Sequence, residues 1–237
     1  MSSSRDTYAE LEGSQVKTVA ERYQPTWLPR AQVLGRRASR LMLDVDVSGL
    51  EHVSLTGALI VAGNHTGFLD GPLVTAWTPR PIRTLTKVEI FSGLPGRVLV
   101  RLGQISLDRD IPDRNALHAA CEELTAGGAC GVFPEGTRGD GELLEIKDGI
   151  GYLAVRSGAP IVPVAVIGTQ QAMPKGAKLP RRGHPVHVAF GPAFTPDLSG
   201  DPYARRTSAR VAEEVRGRLR EHLEAVRRDL DLVRTGD

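Results

Sequence analysis

Short apolar, β-branched runs alternate with longer segments of helical periodicity through the middle of the chain. Six runs predict strands, at residues 58–62, 82–86, 104–107, 129–133, 161–167 and 186–190. Four segments between them predict helices, at residues 70–77, 94–102, 113–126 and 150–157. The alternation predicts a single α/β domain in which helices cover a sheet.

The last part of the chain, residues 202–232, has a clear helical period. Its apolar positions recur every three or four residues, at Val211, Val215, Leu219, Leu223, Val226 and Leu230. Many arginines occupy the remaining positions. We expect a helix that packs its apolar face on the domain and exposes its charged face to water.

The pattern in the first part of the chain fits two interpretations. Residues 16–43 mix arginines with apolar side chains and contain Pro25 and Pro29, which predicts two short helical pieces. Such a composition is typical of a segment lying at a membrane surface. An ordinary amphipathic helix packed on the core has the same pattern. We assign residues 1–45 to an N-terminal helical segment and residues 46–237 to the main domain.

Composition excludes several functional classes. A formal charge of +2, a pI near 8.7 and 5% aromatic residues give little reason to expect nucleic-acid binding. Cys121 and Cys130 are too few for a disulfide framework and lack metal-ligand spacing, so we interpret both as buried small hydrophobes in a reducing compartment. The absence of an apolar leader or a long apolar run predicts a cytoplasmic protein, either soluble or resting on a membrane.

The first candidate for chemistry follows the predicted strand at 58–62. There His65 and Asp70 lie at a strand-to-helix turn, where α/β sheets build their sites. A carboxylate that bonds one ring nitrogen can leave the other facing a substrate as a general base. A helix-capping contact or a core histidine explains the same pair.

The second candidate follows the predicted strand at 129–133. The turn Pro134-Glu135-Gly136-Thr137-Arg138 has a glycine for tight backbone approach and an arginine suited to bidentate phosphate binding. Thr137 and exposed backbone N–H groups add donors. Because both polar turns follow buried strands, they can share one cleft.

Taken in order, these segments resemble the glycerolipid acyltransferase family typified by bacterial lysophosphatidic acid acyltransferase. The segments that resemble the family's first, second, third and fourth motifs are residues 64–70, 103–109, 133–138 and 161–165. Residues 87–91 with Pro95 resemble the segment before the second motif, and Lys147 and Gly149 match positions after the third. The chain departs from the second motif at Gln104 and Ser106, where the family often has a small apolar residue and proline.

The resemblance implies a fold and a reaction. The fold would be a mixed, mostly parallel sheet flanked by helices, as in glycerol-3-phosphate acyltransferases. His65 would act as the general base and Asp70 would orient it, so the acyl chain would pass directly from a thioester to an acceptor hydroxyl. No protein nucleophile, metal or bound cofactor is then expected.

The resemblance also implies which residues bind substrate. These are Asn64, Lys87, Arg109, Glu135, Gly136, Thr137, Arg138 and Lys147. Three of them have simpler explanations. Arg109 lies between Asp108 and Asp110 and could form a surface ion pair. Glu135 could cap its turn, and Lys147 could be solvated.

The sequence does not distinguish between several acyl donors and acceptors. Acyl-CoA and acyl carrier protein are both suitable donors. Acceptors include lysophosphatidic acid, glycerol 3-phosphate, another lysophospholipid or an acylated amino-acid lipid. The resemblance implies a role in phospholipid biosynthesis, peripherally on the cytoplasmic face of the membrane. A metal-dependent phosphoesterase with His65, Asp70 and Glu135 as ligands, or a non-catalytic lipid-binding protein, are the competing hypotheses.

Overall fold

Seven strands and seven helices make up the regular structure of the residues described, 27–108 and 113–235, in the computed structural model. The strands are β1 (Leu43–Ser48), β2 (Leu59–Gly63), β3 (Arg83–Lys87), β4 (Ile105–Leu107), β5 (Ala129–Val132), β6 (Ile161–Ile167) and β7 (His184–Phe190). The helices are α1 (Trp27–Met42), α2 (Asp70–Trp77), α3 (Gly93–Arg101), α4 (Arg114–Thr125), α5 (Gly149–Ser157), α6 (Thr169–Ala172) and α7 (Arg205–Thr235). Two 3₁₀ turns, Leu50–His52 and Val88–Phe91, complete the set.

One sheet carries all seven strands, in the order β1-β7-β6-β2-β5-β3-β4. Neighbours run parallel except β6 and β7, which are antiparallel. The C-terminal ends of β2, β3, β5 and β6 therefore meet at one edge, and β1 and β7 begin there. We call this edge the site edge; it is defined by Gly63, Lys87, Val132, Ile167, Leu43 and His184. The predicted mixed, mostly parallel sheet is confirmed.

The sheet is buried on both faces. In β2, Leu59 and Val61 pack with α2, whereas Ile60 and Ala62 point to the opposite face, which α4, α5 and α7 cover. A strand covered on both sides has no polar face, which explains why β2 is a continuous apolar run. The result is a three-layer α/β/α domain.

Helix α7 confirms the prediction for the end of the chain. Its residues Val211, Val215, Leu219 and Leu223 are buried against the α4–α5 side of the sheet. Its arginines lie on the other face and several pair with neighbouring carboxylates.

Helix α1 corrects the prediction for the N-terminal segment. Within the described residues it is one continuous helix, and Pro29 does not break it. Pro29 is the third residue of α1, in the first turn, where no intrahelical N–H bond is lost. The first of the two predicted pieces lies outside the described residues.

Helix α1 also packs tightly on α2. The Gln32 side-chain amide is buried and donates to the carbonyl oxygens of Thr75 and Thr78 at 2.8 and 3.1 Å. At Gly35 the helices come so close that a Cβ atom would lie 3.0 Å from the Cβ of Ala76. The inner face of α1 thus belongs to the core of the domain, while its outer face is exposed.

Strand β1 is absent from the predictions. The boundary after residue 45 falls inside this strand, so the division into 1–45 and 46–237 does not coincide with a break in the structure. β1 pairs in parallel with β7 along its length, from Leu43 opposite His184 to Ser48 opposite Ala189. Its alternation of apolar and polar residues is a strand signal that the arginine-rich helical pattern before it obscured.

The other strands and the helices α2 to α5 match their predictions with bounds shifted by at most two residues, and α2 and β6 coincide with them; α7 begins and ends three residues later than predicted. The short helix α6 was not predicted. Among the described residues, no helix has the length and apolar character needed to cross a membrane.

Candidate active site

His65 and Asp70 lie together at the site edge, where β2 turns into α2. His65 Nδ1 is 2.9 Å from Asp70 Oδ2, and the two side chains are 11% and 0% exposed. Because the carboxylate accepts, Nδ1 carries the hydrogen and the lone pair of the neutral ring is on Nε2. Within the described residues no protein group bonds Nε2, which is therefore the nitrogen available to a substrate.

Asp70 accepts three hydrogen bonds besides that of His65. The backbone N–H groups of Thr66 and Gly67 donate to Oδ2 at 2.7 and 2.8 Å. The hydroxyl of Thr169, at the start of α6, donates to Oδ1. A buried carboxylate is stable only when it is fully bonded, and these four donors achieve that. All four donors lie outside α2, so Asp70 bonds His65 and the turn before the helix and does not cap the helix.

The turn between β2 and α2 depends on close packing against α6. A Cβ atom on Gly67 would lie 2.8 Å from Thr169 Oγ1, so only glycine leaves room for the threonine hydroxyl beside Asp70. The hydroxyl of Thr66 is 3.0 Å from that of Thr169. Thr169 therefore links the turns after β2 and β6 at the carboxylate.

The turn after β5 holds His65 from the other side. The ring of Phe133 stacks on the imidazole, with centroids 4.7 Å apart and planes inclined by 28°. Glu135 Oε1 accepts the backbone N–H of His65 at 3.0 Å, and the backbone N–H of Gly139 donates to the His65 carbonyl at 3.1 Å. Ring and backbone of His65 are both fixed in place before a substrate arrives.

Glu135 is half-buried, and this raises the pKa of its carboxyl to about 7. Burial is the main cause; the His65 N–H opposes it, and the negative charges of Asp140, Asp70 and Glu142 add to it. Near neutral pH this carboxyl therefore exists in both protonation states.

Gly136, Thr137 and Arg138 continue the same turn. Gly136 closes the turn by donating its N–H to the carbonyl of Phe133 at 3.1 Å, with a φ of 74° that suits glycine. Thr137 and Arg138 are exposed. The Arg138 guanidinium lies 5.8 Å from the ring centre of Phe68, beside the His65 turn.

Lys147 comes close to this turn from a separate loop. Its backbone N–H donates to Pro134 at 2.8 Å, and its side chain passes within 3.3 Å of the position that a Cβ on Gly136 would take. The exposed ammonium group thus adds positive charge near Thr137 and Arg138. The structure brings His65, Asp70, Glu135, Arg138 and Lys147 to one place at the site edge.

The remaining predicted residues differ in position. Lys87 ends β3 at the site edge, with Nζ 2.5 Å from Glu89 Oε1. Asn64 is buried and points to β6, where its amide exchanges two hydrogen bonds with the backbone of Val166, at 2.9 and 2.8 Å. This favours a structural role for Asn64, which continues the pairing of β2 and β6. Arg109 lies outside the described residues.

An apolar cavity of about 270 Å³ opens beside His65. It extends between α2, β3, α3 and α1, and the side chains that line it include Phe133, Ala76, Leu85, Leu99, Leu28 and Ala31. Its size is near the lower end of the range for ligand pockets, about 300–1,000 Å³. The cavity joins the imidazole to a space suited to a hydrocarbon chain.

Gln104, one of the departures from the second motif, lies in the wall of this cavity. It is buried, and its side chain accepts from the backbone N–H of Thr84 at 2.8 Å. The amide thus bonds the β3 backbone beside the apolar space.

Two residues of this site were missed in the sequence. Thr169 is separated from Asp70 by 99 positions, and no local pattern relates them. The sequence pattern predicts Phe133 as the end of a strand, whereas in the structure its ring stacks on His65. Only the parallel pairing of β2 with β5 and β6 brings these side chains to His65 and Asp70.

The site contains no cysteine. Cys130 is buried in β5 as predicted, and burial raises the pKa of its thiol to about 12. Cys121 is only half-buried, which corrects the prediction for it. In the described ranges, no three His, Cys, Asp or Glu side chains are grouped to suit a metal ion. The oxygens of Asp70 are moreover occupied by the four donors described above.

Comparison with known proteins gives two similar curated relatives. A 1-acyl-sn-glycerol-3-phosphate acyltransferase of Brassica napus, a chloroplastic protein, is 31% identical over 139 residues, or 56% of this chain and 40% of that protein. One from Limnanthes alba is 31% identical over 160 residues, or 65% of this chain and 56% of that protein. The chain thus spans about half the length of these curated relatives.

A solved structure has a similar fold. The crystal structure of the 1-acyl-sn-glycerophosphate acyltransferase PlsC from Thermotoga maritima superposes with a TM-score of 0.65 at 27% identity, covering 84% of this chain and 79% of that one. The family model described as Acyltransferase matches residues 44–167, just over half of the chain, which includes the turns of His65 and Glu135. The chain therefore belongs to the acyltransferase family.

Proposed function

We propose that this protein transfers a fatty acyl chain from a thioester to the hydroxyl of a lysophosphatidic acid or related glycerol-phosphate acceptor. The observation that carries the proposal is a buried His65–Asp70 pair in which Nε2 has no protein partner among the described residues and His65 lines an apolar cavity. A base beside a hydrocarbon-sized space suits a reaction between a polar hydroxyl and a long acyl thioester.

The chemistry requires one base and no covalent enzyme intermediate. Nε2 of His65 accepts the proton of the acceptor hydroxyl as its oxygen attacks the thioester carbonyl carbon. The C–S bond then breaks, and the leaving thiolate takes the proton from the imidazolium. Asp70 holds the ring and stabilises its positive charge between these steps.

The acceptor phosphate would bind near the turn after β5. Arg138 and Lys147 supply exposed positive charge there, and Thr137 supplies a hydroxyl. An arginine can bind phosphate through two parallel hydrogen bonds. Lys87 and Arg109 would extend this cationic region, and Glu135 would contact the glycerol part of the acceptor.

The acyl chain would occupy the apolar cavity. Its walls come from α1, α2, α3 and β3, and the surface they expose to the cavity is mostly apolar. The donor would be acyl-CoA or acyl carrier protein, with its large headgroup outside the cavity.

The reaction would take place at a membrane surface in phospholipid biosynthesis, on the cytoplasmic face. The outer face of α1 supports this, since it combines exposed Leu34 and Leu41 with three exposed arginines, and the helix has no acidic residue. An amphipathic helix of this composition lies in the membrane interface.

The test is product identification. The purified chain is incubated with long-chain acyl-CoA or acyl carrier protein and a mixed panel of lysolipids and glycerol 3-phosphate, and products are identified by mass spectrometry. We expect one acceptor class to gain an acyl ester and to release one thiol for each ester. Failure of both donors with every acceptor would refute the proposal.

A further inference from the structure

The loop between α6 and β7, residues 173–183, is strongly cationic. Its sequence contains Lys175, Lys178, Arg181 and Arg182 and no acidic residue. All four side chains are exposed, and within the described ranges none of them forms an ion pair. The arginines of α7 are different, because several of them pair with Asp or Glu. The charge of the loop is therefore not neutralised by the protein.

Apolar exposure accompanies this charge. Leu179, in the middle of the loop, is 76% exposed, and α1 exposes Leu34 and Leu41 to 69% and 71%. The loop touches the end of α1, where the backbone N–H of Gly183 donates to the carbonyl of Met42 at 2.8 Å. Loop and helix together form one surface with seven exposed cations, the four of the loop and Arg30, Arg37 and Arg40 of α1, and neither segment contains an acidic residue.

The topology sets this surface beside the active site. The loop leaves α6, whose Thr169 bonds Asp70, and it enters β7 at His184, next to the start of β1. Both ends of the loop are therefore at the site edge. On the other flank, α3 follows β3 from the same edge and exposes Leu94 to 74%.

We propose that residues 173–183 form a second lipid-contact element, which together with α1 docks the site edge onto an anionic bilayer. The loop cations, which form no ion pairs among the described residues, would attract the negatively charged lipid headgroups. The Leu179 side chain would insert into the membrane interface. Two contacts on one edge fix the orientation of the molecule, whereas α1 alone leaves it free to tilt. The inference rests on the proposed use of lipid substrates at a membrane.

Vesicle binding of the full chain tests this inference. The variant K175Q/K178Q/R181Q/R182Q is compared with the wild type on phosphatidylcholine vesicles with and without phosphatidylglycerol. The matched control R205Q/R206Q/R218Q/R228Q removes four exposed cations from α7, on the opposite face of the sheet. Since each cation near an anionic surface strengthens binding, we expect the loop variant to bind anionic vesicles at least about tenfold more weakly and the control to bind as the wild type does.

A second variant separates the apolar contact from the charge. Leu179→Ser keeps all four cations and lies on an exposed loop, so the fold is not at risk. We expect weaker binding than that of the wild type by the same factor at every salt concentration, because the lost contribution is apolar and salt does not screen it.

Three outcomes would overturn the inference. The first is equal binding of wild type and loop variant to anionic vesicles. The second is wild-type binding that does not depend on phosphatidylglycerol, or no vesicle binding at all. The third is a loop variant that binds vesicles normally but loses transfer from acyl carrier protein, which would identify the loop as a protein-docking surface. Acyl transfer to a water-soluble short-chain acceptor, measured in parallel, reports separately on the proposed function.

Discussion

At the scale of single residues, Asp70 has two functions that cannot be separated. It accepts the two backbone N–H groups that shape the turn before α2, and it accepts His65 Nδ1 and Thr169. Removing its carboxylate would both loosen the turn and release the imidazole. Variants of its partners are therefore more informative than variants of Asp70 itself.

Thr169 is the partner best suited to such a test. Thr169→Val keeps the shape and removes the hydroxyl from Asp70, and Thr169→Ser keeps the hydroxyl. We expect the valine variant to lower kcat roughly tenfold, equivalent to about 1.4 kcal/mol, with little change in KM for either substrate. The serine variant should restore most of kcat. Steady-state kinetics on folded protein measure this, and equal kcat for both variants would contradict a positioning role.

Glu135 should make the free energy of unfolding depend on pH. Its pKa of about 7 in the folded protein is above the ordinary value of 4.5, so the folded state binds this proton more tightly than the unfolded chain. The resulting stability is fully present below the ordinary value and is lost as pH rises through about 7. Glu135→Gln keeps an acceptor for the His65 N–H and removes the titration.

Denaturant unfolding at several pH values between those two limits measures the effect. We expect the free energy of unfolding of the wild type to decline with rising pH more steeply than that of Glu135→Gln. Parallel curves for the two proteins would show that Glu135 titrates normally in the folded state.

At the scale of elements, α1 both packs on the core and exposes a face suited to a membrane surface, two interpretations that the sequence pattern left as alternatives. Its inner face supplies Leu28, Ala31 and Gly35 to the cavity, and its outer face exposes leucines and arginines. The proposed acyl site and the proposed membrane contact therefore share one helix. A change on one face can be made without touching the other.

Ala31→Phe uses that separation. The larger ring would fill part of the cavity at the α1 wall, while the exposed face of α1 stays unchanged. We expect the preferred acyl chain to become shorter by several carbons, since burying a larger ring there removes space for methylene groups. Competition between acyl-CoA species of different length measures this. An unchanged chain-length profile would mean that the acyl chain does not reach α1.

At the scale of the whole molecule, local patterns were sufficient for most elements and insufficient for the site. β2, β5 and β6 are continuous apolar runs, and each is found where its pattern predicts a strand. β1 is not predicted because its short run of alternating apolar and polar residues directly follows a helical pattern. Thr169 and the α1 wall of the cavity depend on contacts between distant parts of the chain, which a single sequence does not display.

The ordered motifs nevertheless predict which turns contain the candidate site residues. His65, Asp70 and Glu135 were selected from two turns after strands, and the parallel pairing of β2 with β5 brings those turns together. Asn64 shared the first motif but points away, into the pairing with β6. The motifs therefore select turns that the fold brings together, without distinguishing which side chains face the cavity.

The central claim is that His65 is the general base for transfer onto the acceptor hydroxyl. The most direct measurement is kcat of His65→Ala with the acceptor found by product analysis, alongside circular dichroism to establish an intact fold. We predict a loss of roughly 10²- to 10⁴-fold in kcat, the usual contribution of a positioned general base. A folded His65→Ala protein that retains most of the wild-type kcat would contradict the account.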